Sequence, residues 1–442
     1  MANYKKFFDL AKEEGLEALE LSVSKSSEFS FQLFRNEIEN YNISDSFTLN
    51  ARGIYNGKIG YANSEKLDAS TPEYIIKHIK ENATLTTSED KPFIYEGSKK
   101  YSKKNVFNKA LAGASKEEKI ALVKALDNEV RKKSELIKEV QTMFSEQTEE
   151  FTLMNSYGLK LSSKNNYAFV FTSAIAVDAQ GETKNGMAMK ILGDLSELNI
   201  DETAQKAVDD TLSQFGSGPC ASRKYKCVFS PRATSSLLSA YLQSISAEQV
   251  QKKSSLLAGK LNEKVASSRI TVTENPLQKN VFFRYFDDEG VATANKTLIK
   301  SGVLQTYLYD LKTAAKDGVE STGNGFKGRD GSLSIRPVNV VLKPGKLSEE
   351  ELIAKCKNGI YINDLSGLHA GLNPQSGNFS LLSSGFLIED GKKTKPVALI
   401  TSAGNLFDVF NSVLAVGSNL EMQMNSMQVP SILVKSIAVS GE

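Results

Sequence analysis

Two stretches of this chain alternate apolar and polar residues with a period of two, and a strong helical stretch separates them. No other feature restricts the fold as much. Over 17–62, Val23, Phe29, Phe31, Leu33, Phe47 and Leu49 are apolar and mostly flanked by polar residues, as in strands with one buried face. Tyr55-Asn56-Gly57-Lys58 carries the Asn-Gly signal of a tight hairpin. Residues 141–192 return to the alternation, with turns expected at Tyr157-Gly158 and Gln180-Gly181. Helices are expected over 4–16, 72–84 and 200–213, and residues 85–115 read as polar and irregular. The strongest helix opens at Ser115, with Glu118 as its capping-box partner. Ile120, Val123, Leu126, Val130, Ile137 and Val140 recur at near-helical spacing and carry it to about residue 140.

At 215–224 the sequence FGSGPCASRK has the Gly, Ser and Pro content of a linker. Beyond it the texture changes to one helix at about 231–245 and many short β-like segments punctuated by glycine. A chain of 442 residues suggests two or three domains at roughly 150 residues each. The expected fold class is α+β. An N-terminal α+β domain over 1–220 is followed by a mainly β C-terminal domain with few helices over 221–442. No solenoid-type repeat is found.

Charge and residue counts exclude several chemistries. The 54 basic and 52 acidic side chains leave a net charge of +2, so no bulk attraction to nucleic-acid phosphates exists. The only histidines are His78 and His369. That excludes a three-histidine zinc centre and any local two-histidine metal motif. The three cysteines, Cys220, Cys227 and Cys356, are an odd number, which argues against a disulfide framework and suits a reducing compartment. The N-terminus lacks the apolar run of a signal peptide, and 396–417 is interrupted by polar residues, so a cytoplasmic protein that does not span a membrane is expected. Gly323–Gly328 fits GxGxxG, but the RDGSLSIRP that follows has no helical periodicity, so it reads as a glycine-rich loop. GxSxG is absent. A Cys356–His369 dyad would have to be assembled by the fold. Asp287-Asp288-Glu289-Gly290 follows the aromatic run FFRYF. It reads as an acidic turn, or as carboxylates that hold a cation or a peptide amine. Met422, Met424 and Met427 read as core or interface fillers.

Several ordered stretches of the C-terminal half resemble the TldD/PmbA family of peptidase-associated proteins. They are SSLLAGKLNEKVASSRITVTENP (254–276), FDDEGVATANKTLIKSGVLQTYLYDLKTAAKDG (286–318), STGNGF with RPVNVVLKPG (321–345), GLNPQSGNFSLLSSGFLIEDGK (371–392) and ALITSAGNLFDVFNSVLAVGSNLE (398–421). FRNEIENYNISDSFTLNARGIYNGKIGYAN extends the resemblance into the N-terminal half. TldD-type members resemble zinc metallopeptidases with HExxxH on the helix before the GK-type segment and a cysteine ligand near the C-terminus. PmbA-type members, also called TldE, lack this set and pair with a TldD-type subunit. Counting back from Gly259-Lys260 puts the two histidine positions near Leu238 and Gln243 and the glutamate position near Ser239. Leucine cannot ligate zinc, and a serine hydroxyl cannot replace the carboxylate base. No histidine lies between His78 and His369, and no cysteine follows Cys356.

The resemblance therefore implies a PmbA/TldE-like non-catalytic subunit of a TldD-type metalloprotease complex that acts on small or unfolded peptides. No catalytic residue, metal ligand or cofactor is expected of this chain itself. Its expected partners are a TldD-type zinc subunit and an extended peptide held by β-addition, with a homodimer formed when the chain is alone and no direct contact with nucleic acid. Asp287, Asp288, Glu289 and Gly290 are the peptide or interface candidates. Two alternatives stand beside this reading: a stand-alone peptidase using a cysteine or a carboxylate pair, and a regulatory binding protein of the DNA gyrase modulator type.

Overall fold

The first alternating stretch becomes β1 (Ala18–Phe34), β2 (Glu37–Tyr55) and β3 (Lys58–Ser64) in the computed structural model, which describes residues 4–87, 92–328 and 332–441. Two-residue turns join the strands. Asn56 and Gly57 both take positive φ (48° and 69°), as a type I′ hairpin requires. Arg35 and Asn36 do the same (51° and 62°), in a turn without glycine that the sequence reading did not single out. Helix α1 (Lys5–Glu13) precedes these strands and α2 (Thr71–Leu85) follows them. After the short α3 (Lys109–Gly113), the order of helix, three strands and helix recurs as α4 (Lys116–Lys132), β4 (Ile137–Asn155), β5 (Lys160–Val177), β6 (Thr183–Leu192) and α5 (Ile200–Leu212). Antiparallel pairing of β1 with β4 joins the two units into one sheet of order β3-β2-β1-β4-β5-β6.

The Ser115 capping box forms. Glu118 N–H donates to Ser115 Oγ at 3.1 Å, and Ser115 N–H donates to Glu118 Oε2 at 2.7 Å. The helix ends at Lys132, however, short of the expected residue 140. Ile137 and Val140 open β4 instead, opposite Ala176 and Ala174 of β5. Branched side chains suit the pleated surface, and Val140 is fully buried there. The irregular stretch 85–115 is otherwise mostly coil apart from α3, and 88–91 lies outside the described residues.

Odd-numbered residues of β1 face the helices. Leu19, Leu21 and Val23 pack with Ile75, Ile76 and Ile79 of α2. Phe31 and Leu33 pack with Val123, Leu126 and Val130 of α4. Gly60 marks how closely α2 approaches β3: a Cβ there would lie 1.9 Å from the Ile79 carbonyl oxygen. Even-numbered residues face the other way, and Ala18, Glu20 and Ser22 are nonetheless buried.

The C-terminal half is built from β7 (Arg223–Phe229), α6 (Pro231–Leu242), β8 (Val272–Glu274), β9 (Lys296–Lys300), β10 (Val303–Leu304), β11 (Gly325–Lys327), β12 (Leu333–Ile335), β13 (Val340–Leu342), β14 (Gly359–Ser366), β15 (Asn378–Glu389), β16 (Lys392–Asn405), β17 (Val413–Val416), β18 (Glu421–Met422), β19 (Met427–Val429) and β20 (Ile432–Ser440), with short helices between. Strands β16-β15-β14-β7-β20 close into a ring because β16 also pairs with β20. A second sheet runs β10-β9-β8-β13-β19-β18. Helix α6 shares one core with both sheets, and Leu237, Leu238 and Tyr241 are fully buried in it. The fold is α+β with a largely β C-terminal half, as expected. The GxGxxG stretch enters strand β11, and its continuation Arg329–Gly331 lies outside the described residues. Met427 is core, whereas Met422 and Met424 are exposed. Among the described residues no helix is long and apolar enough to cross a membrane.

Candidate functional site

Helix α6 carries the positions that the resemblance marks. Ser230 Oγ caps it by accepting the Ala233 N–H at 3.1 Å, and Pro231 opens the first turn. Its inner face is apolar, and the buried Tyr241 hydroxyl donates to the Val265 carbonyl at 2.7 Å. Burial pushes the Tyr241 phenol up from its ordinary value. Arg232, Ser236, Ser239 and Gln243 form the outer stripe. Leu238 is thus sealed in the core, Ser239 is half-buried, and Gln243 is exposed in a tight turn just past the helix end. Leu238 and Gln243 do not converge on one point.

The C-terminal segment does return to this helix. Ser235 Oγ donates to Asn425 Oδ1 at 3.0 Å. Around the same face, Arg232 pairs with Asp364 at 2.9 Å and Asn363 Nδ2 donates to Asp210 Oδ1 of α5 at 3.2 Å. These groups are already matched to one another. Among the described residues no cluster of three or more His, Cys, Asp or Glu is arranged to hold a metal ion.

The acidic run Asp287–Gly290 forms a tight turn closed by a bridge between Phe286 and Ala292. Asp287 is fully buried, and its carboxylate accepts N–H groups from Glu289 (3.0 Å), Val291 (2.9 Å) and Gly325 (2.9 Å). Burial pushes the Asp287 carboxyl well above its ordinary value, Glu289 adds to this, and the three N–H groups oppose it. Asp288 Oδ2 accepts the Lys327 N–H at 2.8 Å. Gly290 has φ +88°, and a Cβ there would meet Leu153 Cδ2 at 2.8 Å. The turn is therefore pressed against the N-terminal sheet. The preceding aromatics lie on that sheet too: Phe286 stacks on Phe151 with centroids 5.8 Å apart, and Tyr285 Oη donates to the Ser162 carbonyl at 2.6 Å.

Glu289 completes a buried charged cluster between the two halves. Its Oε2 accepts the Leu311 N–H at 2.8 Å. Burial pushes its carboxyl up to about 7, with Asp310 and Glu20 adding to the rise while the Leu311 N–H and Arg52 pull it down. Burial works against the Arg52 charge, but Glu20 at 2.7 Å more than offsets it and Arg52 is held above its ordinary value. Burial, with Arg52 nearby, lowers Lys327. The sequence candidates Asp287–Gly290 thus meet Glu20, Arg52 and Lys327, which the sequence reading did not select. The one local signal was a charged residue, Glu20, inside the apolar run ALELSV.

The Cys356–His369 dyad is not assembled. Cys356 is buried, its Sγ lies 3.7 Å from the Lys226 carbonyl oxygen, and burial pushes the thiol up to about 11. His369 is exposed in a short helix, Leu368–Gly371, beyond the far end of β14. An eight-residue strand separates them, roughly 25 Å at strand rise. His78 is half-buried on α2, its ring centroid 4.0 Å from that of Tyr74.

Three profiles of the PmbA/TldA metallopeptidase match this chain in order: domain 1 over 19–83, the central domain over 109–215 and the C-terminal domain over 222–441. An uncharacterised protein of Methanocaldococcus jannaschii is 29% identical over 439 residues, covering 97% of this chain and 98% of its own. A metalloprotease PmbA homologue of Haemophilus influenzae is 26% identical over 457 residues, covering 98% and 94%. Among solved structures, a candidate modulator of a DNA gyrase from Thermotoga maritima superposes with a TM-score of 0.90 at 32% identity over 99% of both chains. TldE from Thermococcus kodakarensis superposes at 0.89 with 25% identity, again over 99% of both. With the profiles running in order through both halves, and whole-chain likeness in sequence and fold, the chain belongs to the PmbA/TldD family.

Proposed function

We propose that this chain is a TldE-type, non-catalytic subunit that completes a metalloprotease with a TldD-type partner acting on small or unfolded peptides. The observation that carries this reading is α6. A zinc peptidase needs ligands that leave one position open for an activated water. The resemblance puts the first ligand position near Leu238, which is locked in the core, and the second near Gln243, which is exposed past the helix end. The likeness to TldE from Thermococcus kodakarensis supports the same reading. The zinc and its general base then belong to the partner, and this chain contributes surface to the assembly. In the partner's absence the chain forms a homodimer, and the boundary between its two domains falls near 220.

The test is co-expression with an HExxxH-bearing paralogue from the same organism. The expected result is a stable complex whose hydrolysis of unfolded peptides needs both chains. A paralogue that never associates with this chain, and cleaves equally well without it, would overturn the proposal. Sedimentation of the chain alone tests the homodimer.

A further inference from the structure

Strand β2 is much longer than its outer neighbour. It has 19 residues against the 7 of β3, and β3 pairs with it only from Leu49 to Tyr55. From Glu37 to Thr48, β2 pairs with β1 on one side, and no strand among the described residues pairs with the other. Every residue from Glu37 to Ser46 is exposed. An edge of this kind is a template for another strand. The usual protections are thin: Glu37, Glu39 and a β-bulge sit at the hairpin end, while Asn40–Ser46 holds one charge, Asp45, and no proline. In the recurring unit β5 likewise outruns β6, by Lys160–Tyr167, but that stretch is not open. There the Ser162 N–H donates to Tyr285 Oη, which donates in turn to the Ser162 carbonyl.

Register decides which groups this edge offers. Tyr55 closes the two-residue hairpin with Lys58, so its main-chain N–H and C=O point toward β3. Counting back by twos, the N–H and C=O groups of Phe47, Asp45, Ile43 and Tyr41 point to that same side, which is the open edge. The side chains of these residues stand on the helix-bearing face, since Ile43 lies opposite Phe29 and Tyr41 opposite Phe31. Tyr41 and Ile43 are 48% and 54% exposed, and carry the apolar row out from the core beneath α4. The opposite face of the strand presents Asn40, Asn42, Ser44 and Ser46, all uncharged.

Charge and symmetry choose the occupant. Two copies of β2 related by a two-fold axis perpendicular to the sheet pair antiparallel, with their helices on the same side. Centred on Ile43, this pairing sets Ile43 against Ile43, Tyr41 against Asp45, Asn42 against Ser44 and Asn40 against Ser46. No acidic residue among these faces another. The outward-facing pairs exchange two main-chain bonds each, about six in all, which is within the range of a specific interface. Lys116, at the start of α4, holds its Nζ 5.8 Å from the centroid of the Tyr41 ring. Asp45 of the second copy, opposite Tyr41, therefore comes beside this lysine, and the symmetry repeats the pair. Both side chains are exposed, and among the described residues neither has an ion-pair partner within its own chain. We propose that the open edge of β2 pairs antiparallel with the same edge of a second copy, making one continuous sheet across a two-fold axis at Ile43. The proposal names the surface of the homodimer described above and rests on that reading.

The test is sedimentation of the full chain at micromolar concentration, wild type against variants. Ile43→Pro removes an outward N–H and puts its ring in the way, yet leaves the ladder with β1 intact. The expected result is a wild-type dimer whose dissociation constant rises about tenfold or more in Ile43→Pro. Asp45→Lys and Lys116→Glu should each weaken the dimer about tenfold, because symmetry makes each change twice. The two changes together should restore it, which a merely structural role for either residue would not do. Circular dichroism and the melting midpoint report that each variant is folded. A folded Ile43→Pro that dimerises as the wild type does overturns this edge as the surface and leaves the homodimer standing. Should Ile43→Pro not fold, charge reversals that leave the dimer unchanged do the same. A wild type that stays monomeric overturns both, even where an HExxxH-bearing paralogue shields the β2 amides from hydrogen exchange instead.

Discussion

Glu289 offers the most direct test of the buried cluster between the two halves. Its side chain is 4% exposed, and its carboxyl is pushed from an ordinary 4.5 up to about 7. The folded protein therefore holds this proton more tightly than the unfolded chain does. The stability contributed is full below pH 4.5 and is lost as the pH rises toward 7. A difference of about 2.5 on the pH scale corresponds to ~3 kcal/mol at 1.36 kcal/mol each. Glu289→Gln removes the buried charge yet keeps an oxygen to accept the Leu311 N–H. The attraction to Arg52 is already contained in that figure, so a gain of about 2–3 kcal/mol is expected at pH 8 and under about 1 kcal/mol at pH 5. For a folding unit of this size that is about 2–4 °C in Tm for each kcal/mol. Asp287 and Glu274 are also pushed up by burial, so the wild type loses more stability with pH than Glu289 alone dictates. The difference between variant and wild type isolates the share of Glu289 and of its coupling to Asp287. Melting curves of both proteins at pH 5, 6, 7 and 8 supply the measurement. A variant that is equally displaced at pH 5 and pH 8, or is destabilised at pH 8, would refute the reasoning.

Other expectations concern the core. Leu238→Ala opens a cavity in the core around α6 and should cost about 2–5 kcal/mol in denaturant unfolding. A near-neutral result would mean that α6 is not sealed in that core. Gly60→Ala puts a methyl group 1.9 Å from the Ile79 carbonyl oxygen, and should cost about 1–3 kcal/mol or prevent folding, whereas Gly57, at the hairpin, has open space around it. Cys356, buried with its thiol pushed up to about 11, should resist iodoacetamide at pH 8 in the folded protein and react fully in urea. Rapid native labelling, read by mass spectrometry, would show that the β14 end of the ring opens easily.

Much of the N-terminal half was legible because its signals are local. The Ser115–Glu118 capping box and the Asn56-Gly57 hairpin act within a few residues, and each formed as read. Where the reading overran, two local patterns competed. Ile137 and Val140 fit a helix stripe as well as a strand face, and pairing with Ala176 and Ala174 of β5 decided for the strand. The Arg35-Asn36 hairpin escaped notice because left-handed backbone at non-glycine residues leaves only a weak trace in composition.

The site divides in the same way. The sequence by itself determined that this chain has histidine only at 78 and 369 and leucine near the first zinc-ligand position, because residue identity is a property of the chain alone. It also determined the alternation that makes one face of each long strand apolar. Only the tertiary structure decided that Leu238 points into the core, that Cys356 and His369 stand at opposite ends of β14, and that Asp287–Gly290 meets Glu20 and Arg52. Those outcomes depend on contacts between residues far apart in sequence, where burial and register set the chemistry, and no short window of sequence contains both partners.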